Sequence, residues 1–238
     1  MSKLETLKSW VQESTRIVFF GGAGVSTESG IPDFRSVDGL YHQKFEFPPE
    51  RIISHTFFKS DPEYFFRFYN DKMLPLGYEP NITHKVLANL EQQGKLAGVI
   101  TQNIDGLHQK AGSVNVQELH GSVHRNYCLR CGKQYDAAFV KCSYGIPRCS
   151  CGGIVRPDVV LYEETLDQST VSSSVELVRN ADLFIIGGTS LTVYPAAGLV
   201  NYYHGDRMVL INRDHTPYDE QANLVFHNCL GDIFSALI

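Results

Sequence analysis

A glycine-rich loop followed by an acid, an aromatic ring and a guanidinium is the clearest chemical feature of this chain. The loop covers residues 22–30, and Asp33, Phe34 and Arg35 come shortly after it. An apolar run, residues 17–20, precedes the loop and is typical of a buried parallel strand. Glycines at a strand end let backbone amides approach a pyrophosphate, and arginine offers a rigid cationic fork. The pattern therefore predicts a nucleotide site.

The glycine spacing does not complete the fingerprint of the hydride-transferring dehydrogenases. Thr27 stands where that fingerprint has its third small residue. In addition, no acidic residue ends a second strand about 20 positions later. Ordinary redox chemistry on a dinucleotide is therefore disfavoured.

A second polar string follows the next apolar run. Residues 96–100 are apolar, and Gln102, Asn103 and Asp105 come directly after them. Polar side chains at the carboxyl end of a parallel strand lie where α/β sheets bind ligands. A strand-to-helix turn with Asn and Asp caps would explain any one of these residues, but it explains the whole string poorly.

His120 differs from the other histidines in its setting. It follows a third apolar run, residues 116–119, and it precedes Gly121, which removes side-chain bulk beside the imidazole. An unperturbed imidazole has a pKa of about 6.5 and can accept a proton at neutral pH. A lone histidine is nevertheless more often structural than catalytic.

Five of the six cysteines lie between positions 128 and 151. Four of them form two close pairs, Cys128 with Cys131 and Cys149 with Cys151. This spacing is near that at which two knuckles converge on one tetrahedral Zn²⁺, and the clustering suits a reducing compartment better than disulfides do. A four-thiolate site has no open position, so the metal is expected to hold the fold. Cys142 could replace one of the second pair, and His124 is a more remote alternative ligand.

Strand and helix patterns alternate over most of the chain. The apolar runs cover residues 17–20, 96–100, 116–119, 159–161, 183–186, 208–211 and 224–226. Helical patterns lie between several of them, for example over residues 83–93 and 171–179. This alternation predicts an α/β fold with a Rossmann-like, doubly wound parallel sheet.

Two segments interrupt the alternation and predict a smaller lobe. Residues 36–80 are rich in aromatics and prolines, and residues 124–155 hold the clustered cysteines. We expect residues 1–238 to form a single catalytic domain with a helical insertion at 36–80 and a zinc module at 124–155. The Rossmann-like core would then cover residues 1–35, 81–123 and 156–238.

Composition excludes several classes of partner. The net charge is -5, with 21 basic and 26 acidic side chains, so no global positive field attracts nucleic acid or an anionic membrane. The first residues form an amphipathic pattern rather than a signal peptide, and no apolar stretch approaches about 18 residues. We expect a cytoplasmic protein. Its oligomeric state is left open, and a monomer is compatible with the sequence.

Residues 22–35 and 101–108 resemble the two signature motifs of the sirtuins, the NAD-dependent protein deacylases. The resemblance covers nearly the whole chain and is loosest over residues 36–80. It implies a transferase, most simply a deacetylase, that moves the acyl group of a protein acyl-lysine to ADP-ribose. The products would be nicotinamide, free lysine and 2′-O-acyl-ADP-ribose. NAD is then the co-substrate, zinc is structural, and acylated lysine side chains of proteins are the partners.

The resemblance also implies roles for individual residues. His120 corresponds to the general base of the family, and Asn103 and Asp105 hold the ribose and the nicotinamide carboxamide. Phe34 would shield the reactive sugar from water. The full set of cofactor contacts that it implies is Gly22, Ala23, Thr27, Asp33, Phe34, Arg35, Gln102, Asn103, Ile104, Asp105, His120, Gly188, Thr189, Ser190, Asn212 and Leu230. For zinc it favours Cys149 and Cys151 over Cys142.

The substrate side contains two departures from the family pattern. Val160 and Tyr162 lie in a segment that resembles the wall of the acyl-lysine tunnel, where the peptide adds as a strand. Glu163 stands where glycine is usual. Sirtuins that prefer acidic acyl chains have Tyr and Arg three residues apart, whereas this chain has Tyr69 and Lys72, and lysine offers no bidentate fork. Alternatively, this pair is simply one helix face near the pocket.

Two other functions remain open from the sequence. Protein mono-ADP-ribosyl transfer would use the same cleavage of NAD with a different nucleophile. A non-catalytic sensor of NAD or ADP-ribose would need no base, so the presence of Asn103, Asp105 and His120 disfavours it.

Overall fold

The apolar runs of the chain assemble into a six-stranded parallel sheet. The computed structural model describes residues 2–33 and 45–237. Strands and helices are numbered here in chain order, and the sheet contains, from edge to edge, β3 (Val116–Glu118), β2 (Leu96–Thr101), β1 (Ile17–Gly21), β7 (Leu183–Gly187), β8 (Met208–Ile211) and β9 (Leu224–Phe226). The strand order runs outward in one direction from β1 and in the other from β7. These two strands therefore form the switch point, whose carboxyl end is where α/β sheets bind ligands.

Successive side chains of β1 enter two different cores. Ile17 and Phe19 belong to one buried cluster, and Val18 and Phe20 belong to the other. This follows from the two-residue period of a strand, and each large apolar side chain contributes about 1.5–3 kcal/mol on burial. The covering elements are α1 (Lys3–Glu13), α5 (Ile82–Gln92) and α9 (Leu230–Ser235) on the first face, and α8 (Gln168–Arg179) with a 3-10 segment (Ala196–Tyr202) on the second.

The covering helices are short, and α1, α5 and α8 begin at residues whose side chains cap them. Ser2 forms a capping box with Glu5, in which each side chain accepts the backbone N–H of the other, at 3.2 and 2.6 Å. Such a cap contributes about 1 kcal/mol. The longest of these helices, α8, has 12 residues. None of the helices in the described ranges has the length and apolar character that crossing a membrane requires.

The aromatic-rich segment forms a helical insertion. Its described part contains α2 (Pro49–Ile52), α3 (His55–Ser60), α4 (Pro62–Phe68) and a π-helical turn (Tyr69–Met73). Ser54 caps α3 by accepting the Phe57 N–H at 3.2 Å. Asp61 caps α4 in the same way, accepting the Tyr64 N–H at 3.0 Å. These caps end one helix and begin the next within a few residues.

The cysteine-rich segment forms a small antiparallel sheet that packs with the helical insertion. It contains β4 (Gly121–Cys128), β5 (Gln134–Tyr135) and β6 (Val155–Val159), and α7 (Ala137–Cys142) packs beside it. Phe58 and Phe65 of the helices share one buried cluster with Val123 and Val155 of the sheet. The two insertions therefore form one smaller lobe, as predicted, although the sheet extends from 121 to 159 and is wider than the expected 124–155.

The prediction that the apolar run at residues 159–161 belongs with the strands of the core is wrong. Val159 is the last residue of β6 and pairs antiparallel with Gly121 in the small sheet. Val160 continues the chain across the lobe junction, and its N–H donates to the His120 carbonyl at 3.0 Å. The physical reason is that so short an apolar run does not specify the strand with which it pairs. The pairing of β6 with β4 places Val159 in the small sheet.

Two buried histidines join α5 to α6 (Leu107–Ala111), the helix that follows the polar string. The rings of His84 and His108 lie 4.7 Å apart, and His108 also contacts Phe19 of β1. Burial lowers the pKa of His84 to about 4 and holds the pKa of His108 well below its ordinary value. Both rings are therefore neutral at pH 7 and act as part of the core.

Candidate active site

A cavity of about 640 Å³ opens at the carboxyl ends of β1, β2, β7 and β8. Tyr69 and Lys72 of the smaller lobe, together with Tyr162 of the segment after the small sheet, lie in its opposite wall. Its volume is in the range of small-molecule and cofactor sites, and its place at the switch point is the usual one for an α/β fold.

Two glycine loops meet backbone to backbone at the floor of this cavity. The Gly24 N–H donates to the Gly188 carbonyl at 2.8 Å, and the Gly22 N–H donates to the Gly187 carbonyl at 3.2 Å. A Cβ atom on Gly24 would lie 2.7 Å from the Gly188 Cα atom. Only glycine permits this approach, which leaves a cradle of accessible backbone where a pyrophosphate can lie.

Ser26 connects the glycine loop to the polar string. Its hydroxyl donates to Asp105 Oδ2 at 2.6 Å and accepts from Asn103 Nδ2 at 3.1 Å. Asp105 Oδ1 also accepts the Leu107 N–H at 2.9 Å. The side chains of Asn103 and Asp105 are thus held by one shared hydroxyl. Sequence reasoning missed Ser26, because a serine in a glycine loop looks like an ordinary cap, and only its place in the motif could have indicated it.

Asp105 is 6% exposed. Burial raises its pKa, while the Ser26 hydroxyl and the Leu107 N–H oppose that shift by favouring the carboxylate. A polar ligand group that enters the cavity would therefore change the pKa of this desolvated carboxyl group.

His120 is held in one tautomer. Its Nδ1 lies 2.9 Å from the Gln102 carbonyl oxygen, which can only accept, so Nδ1 carries the proton and Nε2 has a free lone pair. Burial lowers the pKa of His120, and the hydrogen bond to Gln102 opposes that shift. A neutral imidazole with a free Nε2 at a cavity wall can accept a proton at pH 7.

Gly121 makes the position of His120 possible. Its φ is +77°, a conformation that L side chains rarely adopt. A Cβ atom there would lie 2.0 Å from the Asp158 carbonyl oxygen. Gly121 therefore connects His120 to the small antiparallel sheet at a position that has no space for a side chain.

Hydrogen bonds between separate elements stabilise the remaining walls of the cavity. Gln102 Nε2 donates to Thr189 Oγ1 at 2.9 Å and links the loops after β2 and β7. The Gly231 N–H donates to Glu28 Oε2 at 2.8 Å and links α9 to the glycine loop. Arg213 Nη2 lies 3.7 Å from Asp33 Oδ2 at the cavity, an unpredicted cation beside a predicted acid.

The segment after β6 connects the two lobes. The Tyr162 N–H donates to the Ile53 carbonyl at 3.1 Å, and the His55 N–H donates to the Tyr162 carbonyl at 3.0 Å. Glu163 has a left-handed φ of 75°, a conformation that glycine adopts without strain. Its carboxylate accepts from the N–H and the hydroxyl of Thr56 at 2.9 and 2.6 Å, which compensates for the strained backbone.

Tyr69 and Lys72 both reach the cavity but differ in their surroundings. Tyr69 is buried, and within the described ranges its hydroxyl has no hydrogen-bond partner. Burial raises the pKa of Tyr69, so the phenol stays neutral and can donate. Lys72 Nζ lies 3.1 Å from Asp71 Oδ2 and is partly exposed.

The described residues predicted to bind cofactor or substrate all line this cavity. They are Gly22, Ala23, Thr27, Asp33, Tyr69, Lys72, Gln102, Asn103, Ile104, Asp105, His120, Val160, Tyr162, Gly188, Thr189, Ser190, Asn212 and Leu230. Phe34 and Arg35 lie outside the described residues. Ser26, Glu28 and Arg213 line the cavity as well and were not among the predicted residues.

The four paired cysteines converge at a separate place in the smaller lobe. Sγ atoms of Cys128 and Cys151 lie 3.5 Å apart, those of Cys131 and Cys149 lie 3.6 Å apart, and all four lie within 4.8 Å of one another. Thiolates around a tetrahedral ion with bonds of about 2.3 Å are about 3.8 Å apart, so the cluster fits a metal. Cys142, which is exposed at the end of α7, is not part of this cluster.

His124 is also separate from the cysteine cluster. Its Nε2 atom lies 2.9 Å from the carbonyl oxygen of Asp105. The alternative in which His124 replaces a cysteine ligand is therefore excluded by this contact and by the composition of the cluster.

Comparison with known proteins gives consistent matches over the full chain. Residues 22–195 match the model of the Sir2 family. An NAD-dependent protein deacetylase of Clostridium acetobutylicum is 56% identical, with 100% of this chain and 99% of the relative covered. One of Staphylococcus aureus is 45% identical, with 99% and 98% covered.

Solved structures agree with these matches. A Sir2 variant in complex with a deacetylated p53 peptide and 3′-O-acetyl ADP-ribose has a TM-score of 0.91 and 38% identity, with 99% of this chain and 97% of that chain covered. A complex of Sir2 with a p53 peptide and NAD⁺ has a TM-score of 0.86 and 40% identity, with 99% and 96% covered.

Replacing Gly121 with alanine should strongly destabilise the protein. The added Cβ atom would meet the Asp158 carbonyl oxygen at 2.0 Å, at a positive φ. We expect a loss of at least about 3 kcal/mol in the free energy of unfolding, measured by urea denaturation. Gly94→Ala is the matched control, because Gly94 has a φ of +73° and nothing within 4 Å of the added atom. Equal losses in the two variants would mean that Gly121 is needed for its backbone conformation alone.

Proposed function

Because the chain belongs to the Sir2 family, we propose that it is an NAD-dependent protein-lysine deacetylase. It transfers the acyl group from lysine to ADP-ribose and releases nicotinamide and 2′-O-acyl-ADP-ribose. The observation that carries this proposal is the convergence of Asn103, Asp105 and His120 on one cavity beside the glycine cradle. A neutral base next to a phosphate site is the combination that this acyl transfer requires.

The residues of the cavity fit NAD. The glycine floor at Gly24 and Gly188, which an added Cβ atom would fill, offers backbone contact to the pyrophosphate. Asn212 and Leu230 line the same cavity and would hold the adenosine part of the cofactor, and Arg213 offers a cation that could contact its phosphates. When bound, NAD supplies a ribose carbon from which nicotinamide leaves and to which the acyl oxygen can bond. Phe34 and Arg35, outside the described residues, complete the proposed cofactor contacts.

The chain contributes orientation and one proton transfer. The hydroxyl of Ser26 holds the side chains of Asn103 and Asp105, so both can bind ligand groups with little loss of rotamer freedom. His120 Nε2 then accepts a proton from a ribose hydroxyl, and the Gln102 carbonyl stabilises the imidazolium through Nδ1–H. Burial of these groups strengthens each electrostatic contact.

The lobe junction supports binding of the acylated peptide. Val160 and Tyr162 line the cavity on a segment that already bonds to both lobes, and an extended peptide can add beside it. The proposed partners of the protein are thus acylated lysine side chains of other proteins rather than nucleic acid or membrane. We assign residues 1–238 to one catalytic domain, in which the zinc module extends to the bounds of the small sheet, residues 121–159. The thiol cluster supports a cytoplasmic location.

Zinc is the metal proposed for the cysteine cluster. Four thiolates at tetrahedral spacing select zinc over harder cations, and they leave no position for substrate. The metal is therefore structural, and it holds the small sheet from which His120 and Val160 are positioned.

His120→Ala should reduce deacetylation by roughly 10² to 10⁴ while NAD binding stays nearly intact, since a base acts mainly in the transition state. In the unaltered protein, kcat/KM should fall as the pH drops through the pKa of His120, which burial places below its ordinary value. Turnover of an acetylated peptide with NAD measures both effects.

The control is His204→Ala, because His204 is exposed and lies away from the cavity lining. Full activity in the His120 variant would contradict the assignment. Mass spectra of the products test the alternative function: acyl-ADP-ribose supports deacylation, whereas an ADP-ribose adduct on the protein substrate supports mono-ADP-ribosyl transfer.

Removal of the metal should unfold the smaller lobe. Binding of structural zinc contributes on the order of 10 kcal/mol that is coupled to folding. Cys128→Ser should therefore lose zinc and precipitate or unfold, as judged by elemental analysis and circular dichroism. Cys142→Ser is the matched control and should keep one equivalent of zinc, since Cys142 lies outside the cluster. Folded, active protein without zinc would refute the proposal.

Acetyl-lysine should be a better substrate than succinyl-lysine. Lys72 already contacts Asp71, and one partly exposed ammonium gains about 1 kcal/mol or less from a carboxylate. That gain must offset the cost of desolvating the carboxylate, even if the Tyr69 hydroxyl donates to it. The measurement is kcat/KM on matched peptides, with Lys72→Met as a control that should leave acetyl turnover unchanged. A succinyl preference above about tenfold, or roughly 1.4 kcal/mol, would show that Tyr69 and Lys72 recognise acidic acyl chains.

A further inference from the structure

A second group of metal-ligating side chains lies beside the cavity and is separate from the cysteine cluster. His215, Asp219 and His227 each offer one ligand atom, and these atoms lie within 4.8 Å of one another. Asp219 Oδ2 is the common point, 2.9 Å from His215 Nδ1 and 3.3 Å from His227 Nε2. Ligands around a tetrahedral zinc ion with bonds of about 2.0 Å are about 3.3 Å apart. The spacing of the cluster is therefore close to that of a metal site.

The hydrogen bond at Nδ1 of His227 determines whether its other ring nitrogen, Nε2, carries a proton toward Asp219. Nδ1 of His227 lies 3.1 Å from the Asn212 carbonyl oxygen, which can only accept, so Nδ1 carries a proton. In a neutral imidazole Nε2 is then a lone pair, and it faces a carboxylate oxygen. Two acceptors at 3.3 Å repel unless a positive species lies between them. A metal cation satisfies both, and the remaining explanation is a second proton on His227.

The carboxylate has outer contacts of the kind that orient metal ligands. Asp219 Oδ1 accepts from the N–H and the hydroxyl of Thr216, at 3.0 and 2.8 Å. Oδ2 is left for His215 and His227. Metal-bound histidines commonly donate their second N–H to a backbone carbonyl, as His227 does to Asn212, and ligating carboxylates are themselves hydrogen-bonded.

We infer that His215, Asp219 and His227 form a second metal site, for a divalent first-row transition cation of the zinc class. Two imidazoles and one carboxylate select such a cation over calcium or magnesium, which prefer oxygen ligands alone. His215 is largely exposed, so solvent can reach the fourth position of a bound ion. Because His215 also lines the cavity, the ion binds at its rim.

The test is titration of the zinc-loaded protein with Zn²⁺ against a chromophoric chelator at pH 7.5. We expect the unaltered chain to bind one equivalent more than Asp219→Asn, and His227→Gln to bind this equivalent at least about tenfold more weakly. The count is a difference between variants of one protein, so it does not depend on the cysteine cluster or on the proposed enzyme activity. His204→Gln is the matched control and should bind as the unaltered chain does.

Nitrogen NMR of the histidine rings keeps the test independent of variant folding. In the unaltered protein, Zn²⁺ should shift the His215 and His227 signals and leave the His204 signal in place. The inference is overturned if the additional equivalent is absent, if it persists undiminished in Asp219→Asn and His227→Gln, or if His227 carries two ring protons that Zn²⁺ does not displace.

Discussion

The backbone contact between two glycine loops is the constraint on which the rest of the site depends. Gly24 and Gly188 approach so closely that a single methyl group would separate them. Their strands, β1 and β7, are neighbours at the switch point of the sheet. Because the contact leaves no side chain on the cavity floor, the polar groups at the neighbouring strand ends can converge around backbone that a ligand can approach closely.

Desolvation shifts two titratable groups of the site, Asp105 and His120, in the direction of their neutral forms. Burial raises the pKa of Asp105 and lowers the pKa of His120. Hydrogen bonds then offset part of each shift: Ser26 favours the carboxylate, and the Gln102 carbonyl favours the imidazolium. The result is an imidazole that is neutral at rest and whose charged form has a hydrogen-bond partner, which suits the proposed proton transfer.

The smaller lobe contributes as a support for the cavity rather than as a second centre of chemistry. The cysteine cluster holds the sheet that runs through Gly121, and the segment after β6 bonds to both lobes. Glu164 strengthens this junction through its contacts with His55 and Arg156. A metal bound by these thiols would therefore act on the cavity indirectly, through the sheet and the segment that hold His120 and Val160 in place.

The sequence by itself determined the parts of the protein that depend on local pattern. The loop at 22–30, the string after β2 and the two cysteine pairs could be recognised because each is a short run with its own chemical requirement. Six of the apolar runs are strands of the large sheet for the same reason. The tertiary structure decided what depends on residues distant in the chain. It assigned Val159 to the small sheet, excluded Cys142 from the cluster, gave Ser26 its role and brought His215, Asp219 and His227 together. These outcomes depend on pairing and packing between separate segments, and the local pattern of a single sequence carries no information on such contacts.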